Sequence, residues 1–257
     1  MPTEQPRVLV LIQARLGSSR LPGKSALPLP LAAAGDAHTI LGHVVGRARQ
    51  AKLVSEIVVA TTAQALDDPL AALAARLGAG VFRGDEQDVL GRFAGALAQA
   101  EKQAGLVAAV LRLTADNPAL DPAFLDQAIT HHFATGADYT LSTGLPLGTN
   151  VEAISPEALR RAHHEARQPD EREHVTPYLR RHPKLFGLET LALAVPPAVA
   201  ALRLTVDYPS DYALLSLLFQ ELGPDFSLTD PAGLPALLTR HPWLGRINDQ
   251  NAQVQAR

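Results

Sequence analysis

The chain contains no cysteine in 257 residues. Disulfides, thiolate zinc sites, iron–sulfur clusters and cysteine nucleophiles are therefore excluded. It also lacks any excess of positive charge: 23 Lys and Arg against 26 Asp and Glu give a net charge of −3. General nucleic-acid binders are normally basic, so that role is disfavoured. Gly (18) and Pro (20) are too few for a low-complexity chain. Met1 leads into polar TEQPR and only a short apolar run. Neither a signal peptide nor a membrane span is expected, and the expected location is the cytoplasm.

What is present is an apolar fraction of 47%, ample for a core, in a length that suits one α/β domain with an extension. In the first half, strand and helix signals alternate. The short apolar runs VLVLIQ (Val8 to Gln13) and EIVVATT (Glu56 to Thr62) read as strands buried on both faces. TILGHVVGRARQAKL follows the first with helical spacing, and DDPLAALAARLG follows the second with acids and Pro in its first turn and Gly at its end. VFRG, a long helix DEQDVLGRFAGALAQAEKQAG, the strand VAAVLRLTADNP and the helix DPAFLDQAITHHFATG continue the pattern. Such alternation predicts right-handed crossovers and a mostly parallel sheet in an α/β fold.

The second half is less regular. DYTLST, NVEAIS and LRLTVD (Leu202 to Asp207) read as strands; SPEALRRAHHEAR, EREHVTPYLRRHP and PSDYALLSLLFQELG read as helices. The tail from Arg246 is polar and expected to be loosely ordered. No linker divides the chain, so residues 1–257 are read as a single domain, with one half at 7–144, a second at 145–222 and an extension at 223–257.

The most informative segment is QARLGSSRLPGKSALPLP, Gln13 to Pro30. It follows the first strand at the carboxyl edge of the sheet, where open α/β folds bind ligands. Two glycines, three serines, two arginines and a lysine supply free amides and cations, which suit a polyphosphate. It is not a Walker A loop: five residues rather than four separate Gly17 from Gly23, and Pro28 and Pro30 oppose a helix straight after Lys24. The G-x-G-x-x-G fingerprint is absent as well.

Taken in order, QARLGSSRLPGK, EIVVATT, VFRGDEQDVLGRF, LRLTADNP, NVEAISPEAL, EREHVTPYLRRHP and LRLTVDYPSDY resemble the cytidylyltransferase family. Within that family it resembles the spore-coat polysaccharide biosynthesis type, related to the enzymes that activate sialic acids and 3-deoxy-manno-octulosonate. The resemblance covers about residues 7 to 222 and implies that 7–144 is the nucleotide-binding half and 145–222 the acceptor and dimerisation half. It implies a glycosyltransferase-A-like α/β/α sandwich and Mg²⁺-dependent transfer of CMP from CTP to a sugar or sugar acid, with pyrophosphate released. It further implies that Arg15 and Lys24 hold the triphosphate beside the amides of Gly17, Ser18 and Ser19, with Gln13 and Ala14 at the strand's end. Thr61, Thr62, Arg83, Gly84, Asp88 and Arg92 would line the nucleotide pocket. Asp88 and Arg92, four apart, would share a helix face. Asp116 is the implied metal ligand. Asp207 is the second choice, with N-capping of the helix at Pro209 as its alternative role. If both bind one ion, their carboxylates should lie within about 8 Å of each other.

On the acceptor side the resemblance implies Glu152, Arg172 and His174. Where the nearest relatives carry an acid two residues before that glutamate, this chain has Asn150, and AAAGDAH (Ala32 to His38) is longer than the usual turn. The pairs His131/His132 and His163/His164 cannot each face one ion, because adjacent helical residues diverge by about 100°. They are read as surface or interface histidines, and Tyr178 and Trp243 as packing residues. The competing readings are a glycosyltransferase consuming a nucleotide sugar, which the missing D-x-D around Asp116 disfavours, and a cytidylyltransferase acting on another small acidic acceptor. A homodimer is expected.

Overall fold

The structure, a computed structural model, describes residues 5–251. In chain order it contains β1 (Val8–Gln13), α1 (Ile40–Gln50), β2 (Glu56–Thr62), α2 (Asp68–Arg76), β3 (Gly80–Gly84), α3 (Val89–Ala104), β4 (Ala109–Thr114) and α4 (Pro122–Thr135). Then follow β5 (Tyr139–Thr143), β6 (Glu152–Ile154), α5 (Pro156–Glu165), α6 (Pro169–His174), α7 (Pro177–Arg181), β7 (Leu188–Ala192), α8 (Pro197–Ala200), α9 (Pro209–Leu222) and α10 (Leu234–Arg240). The strands form one seven-stranded sheet in the order β3-β2-β1-β4-β6-β5-β7. All pairings are parallel except those of β6, which runs against both β4 and β5.

Period two in β1 explains the layers. Val8, Val10 and Ile12 pack with α1, α2 and α4, whereas Leu9 and Leu11 pack with α3, α5 and α7. All five are buried, which is why VLVLIQ shows no polar alternation. The helices begin where polar caps predict. Thr39, Asp88, Asp121 and Ser155 each accept an N–H of the first turn, from Gly42, Gly91, Ala123 and Ala158. A third apolar cluster lies beyond the end of the sheet, formed by α8, α9, α10 and Leu29. No described helix is long and apolar enough to cross a membrane.

Four expectations need correction. LRLTVD is not a sheet strand: only Leu147 and Arg203 form an isolated bridge there, and the seventh strand is instead β7, whose short half-exposed run LETLA carries a weak pattern. EREHVTPYLRRHP is two short helices, because Pro177 starts a new one. His132 is buried, with Nδ1 2.9 Å from Thr140 Oγ1, whereas Trp243 is exposed. Residues just past Arg246 are anchored: Asn248 Nδ2 donates to Arg203 O at 2.9 Å and Asn251 Nδ2 to Asp211 Oδ1 at 2.7 Å. The rest of the tail lies outside the described residues.

Candidate active site

The loop after β1 runs along the carboxyl edge of the sheet. Gly23 takes the left-handed conformation (φ 70°) and turns the chain into a single 3-10 turn at Lys24–Ala26. The loop is tied down by Asp67, which accepts the Leu16 amide at 2.7 Å and the Thr62 hydroxyl. A cavity of about 400 Å³ opens above it, lined by Gln13, Ala14, Arg15, Gly17, Ser18, Ser19, Lys24, Asp116, His174 and Asp207. The loop residues expected at the triphosphate are thus brought together.

Asp116 follows β4, and Asp207 reaches it by a different route from the one expected. The Val206 amide donates to Asp116 O at 2.8 Å, so an irregular segment, not a strand end, carries Asp207 to the rim. Asp207 is not a helix cap either. Asp211 accepts the amides of Asp207 and Tyr208, each at 2.9 Å, and the Asp207 carboxylate is left for side chains. Lys24 Nζ donates to Asp116 Oδ2 at 2.7 Å, to Asp207 Oδ1 at 2.9 Å and to Val206 O at 2.7 Å. The two carboxylates are therefore no farther apart than two such contacts laid end to end, inside the limit for sharing one ion. Burial opposes the Lys24 charge, yet the two acids outweigh it and hold the ammonium above lysine's usual range. Burial likewise opposes Asp116, but Lys24 and Thr114 hold its carboxyl below the ordinary value.

A second cavity of about 460 Å³ adjoins the first at Gln13, Thr114, Asp116, His174 and Asp207. Its walls carry Arg20, Arg112, Arg180 and Arg203 together with Asn117, Asn150 and Glu152. Glu152 accepts from Arg112 and from the Tyr139 hydroxyl at 2.6 Å each, and from Thr176 at 2.9 Å. Arg112 outweighs burial and keeps this carboxyl depressed. Arg203 is held by Asp207 at 2.7 Å and Asp211 at 3.0 Å. Arg180 is exposed and makes no side-chain ion pair or hydrogen bond among the described residues. Two buried atoms facing this region lack partners, Arg112 Nε and Asn117 Oδ1.

Arg172 does not join Glu152. Two residues apart on α6, Arg172 and His174 point to nearly opposite sides. His174 faces both cavities, while Arg172 donates to Asp88 and to His163 O at 2.7 Å. Arg15, Asp88 and Arg172 line a third cavity of about 490 Å³. Between α6 and α7, Val175 is held at φ 70°, a costly conformation for a β-branched residue, at the junction that presents His174.

The residues expected at the base are split. Asp88 caps α3 and pairs with Arg172, not with Arg92. Arg92 is 1% exposed and donates to Asp85 O and Glu86 O, with Nε and Nη2 unpartnered. Thr61 is fully buried, and Thr62 spends its hydroxyl on Asp67. Arg83 turns to the carbonyls of Thr62 and Gln64 and to Asp68. Gly84 leaves room for the Arg92 stem, where a Cβ would sit 3.0 Å from Cγ. Arg83, Gly84, Thr61, Thr62 and Arg92 line none of the three cavities. Sequence reasoning missed Arg112, Arg180, Arg203 and Asn117. A charged residue inside an otherwise apolar run, LRLT at both Leu111 and Leu202, was the available signal for two of them.

The chain is 36% identical over 242 residues to the spore coat polysaccharide biosynthesis protein SpsF of Bacillus subtilis, covering 91% of this chain and 95% of that one. It is similar to a cytidylyltransferase structure from Leptospira borgpetersenii (TM-score 0.82, 29% identity, 97% and 99% covered). It shares its fold with CMP:2-keto-3-deoxy-manno-octonic acid synthetase complexed with CTP (TM-score 0.63, 16% identity, 83% and 98% covered). Residues 9–218 match the family described as Cytidylyltransferase, and this chain belongs to that nucleotidyltransferase family.

Proposed function

We propose that the enzyme transfers CMP from CTP to a hydroxyl of an anionic sugar, a sugar acid. The carrying observation is that a loop cavity rich in amides and cations meets a cation-walled cavity at Asp116 and Asp207. The first suits a triphosphate and the second a carboxylate-bearing acceptor. In the reaction the acceptor oxygen bonds to the α-phosphorus, the bond to the β-phosphate oxygen breaks, pyrophosphate leaves, and the hydroxyl proton passes to solvent. Arg15, Lys24 and the Gly17–Ser19 amides stabilise the charge that gathers on the leaving oxygens. His174, shared by both cavities, orients the attacking hydroxyl.

Arg180 replaces Arg172 as the receiver of the acceptor's carboxylate, because it is the exposed cation on that cavity without an ion-pair partner among the described residues. Glu152 is a positioning residue: three donors already occupy it, and it fixes Arg112 on the cavity wall. The unpartnered Nε and Nη2 of Arg92 are two neighbouring donors, the pattern that two adjacent acceptors of a cytosine edge would meet.

Asp116 and Asp207 fit Mg²⁺: two hard oxygen donors converge, and Mg²⁺ takes only one or two carboxylates, filling its octahedron with water and phosphate. Bound there, it would supply further neutralisation of phosphate charge. The test is to incubate the protein with each of the four NTPs, Mg²⁺ and a panel of neutral sugars, sugar phosphates and sugar acids, and to follow pyrophosphate. Release with CTP and sugar acids is expected. Release from no NTP, or equal release with neutral sugars, overturns the reading.

A further inference from the structure

Lys24 sits where a metal ion would. Its side chain is only 10% exposed, and its ammonium contacts two carboxylates and a carbonyl. An ammonium has three donors, so all are used. Each carboxylate has another anchor. Asp116 accepts from Thr114 Oγ1 at 2.6 Å, and Asp207 accepts from Arg20 at 2.9 Å and Arg203 at 2.7 Å. The pair thus stays in place without Lys24, but with Lys24 present its inner oxygens are taken.

We propose that Lys24 is the resident cation of the acidic pair in the nucleotide-free enzyme, and that a divalent cation enters only when a triphosphate draws the ammonium away. The proposal rests on the loop cavity's being the triphosphate site. Lys24 lines that cavity together with Gly17, Ser18 and Ser19, so phosphate oxygens arriving there become alternative partners for Nζ. An ammonium and a divalent cation cannot both occupy the space between the same two oxygens, since their mutual repulsion at contact distance is large. Lys24 thereby acts as a gate against idle metal binding and couples metal entry to nucleotide entry. The state open to metal is a minor one in the free enzyme, and apparent metal affinity is reduced by its population.

The experiment is a Mn²⁺ titration of the nucleotide-free protein, reading free Mn²⁺ by electron paramagnetic resonance. Lys24→Met is expected to tighten Mn²⁺ binding by about tenfold or more, although the same variant loses turnover. Arg20→Met is the control. It also removes a cation from Asp207, but not the one between the carboxylates, and its Mn²⁺ affinity should stay near wild type. Unchanged or weaker binding in Lys24→Met overturns the proposal, and so does an equal gain in Arg20→Met, which would reduce the effect to overall charge.

Should Lys24→Met fail to fold, Lys24→Gln takes its place, and the wild type gives an independent reading. The chain has four lysines, and Lys52, Lys102 and Lys184 are exposed. A slowly exchanging ¹⁵Nζ signal is therefore expected from Lys24 alone. Millimolar Mg²⁺ alone should leave it unmoved, and CTP with Mg²⁺ should shift it; displacement by Mg²⁺ alone contradicts the gate. Absence of any thermal stabilisation by CTP would instead strike the triphosphate reading itself and take the gate with it.

Discussion

Arg112 and Glu152 face each other on adjacent antiparallel strands, directly in register, and close an ion pair of 2.6 Å at the wall of the cavity of about 460 Å³. Their side chains are 18% and 13% exposed, so neither is well solvated. Removing the acid leaves an uncompensated guanidinium; Glu152→Ala should cost about 3 kcal/mol or more in urea unfolding. Glu152→Gln keeps the shape and tests the charge. Because the folded carboxyl lies below its ordinary value of 4.5, the stability it contributes is complete above that pH and is lost as pH falls below it. Glu152→Gln should therefore flatten the acid limb of stability against pH. An unchanged limb would place the acid sensitivity elsewhere.

His43 gives a second pH signature. Its Nε2 lies 2.6 Å from Leu29 O and its ring packs on Phe219 at 4.4 Å. Burial disfavours its charged form and lowers its pKa from 6.5. Its contribution is complete above that value and declines as pH drops through it, since the unfolded chain takes up the proton first. Urea midpoints at about pH 7.5 and about pH 5.5 should differ less in His43→Gln than in wild type.

Gly148→Ala should destabilise the fold. The glycine has φ +96°, and a Cβ would sit 2.6 Å from the Thr205 amide. Backbone strain alone is worth about 1–3 kcal/mol. The same clash pushes apart the Leu147–Arg203 bridge beside the acceptor cavity, so the acceptor KM should rise more than that for CTP.

Arg180→Ala and Arg172→Ala separate the two arginines. Arg180 is exposed and unpaired among the described residues, so its loss should leave the melting temperature unchanged and raise the acceptor KM about tenfold or more. Arg172→Ala should spare the acceptor KM and act through Asp88. The reverse pattern would restore Arg172 to the acceptor.

Much of this was legible in the sequence, and the failures have physical reasons. Strands such as VLVLIQ are buried on both faces and caps such as Asp121-Pro122 are local, so their signals are complete in a short window. The loop from Gln13 to Lys24 stood out because its glycines, serines and cations are concentrated in one stretch, and the structure gathers them round one cavity. Asp207 was placed correctly at the rim for a wrong reason: its neighbour Val206 pairs with Asp116 O, a contact between residues 90 apart in sequence that no periodicity encodes. Arg172 pairs with Asp88 and not beside His174 because two residues along one helix turn to opposite sides, and no local pattern marked where Arg180 lies because α7 starts afresh at Pro177.

In the proposed reaction a triphosphate in the Gln13–Lys24 loop is attacked beside Asp116. The most direct measurement is the rate of pyrophosphate release by Asp116→Asn with CTP and an active sugar acid, alongside its melting curve. A loss of about a hundredfold or more is predicted in a variant that still unfolds cooperatively, at a lowered melting temperature because the buried Lys24 loses a partner. Turnover near that of the wild type would contradict it.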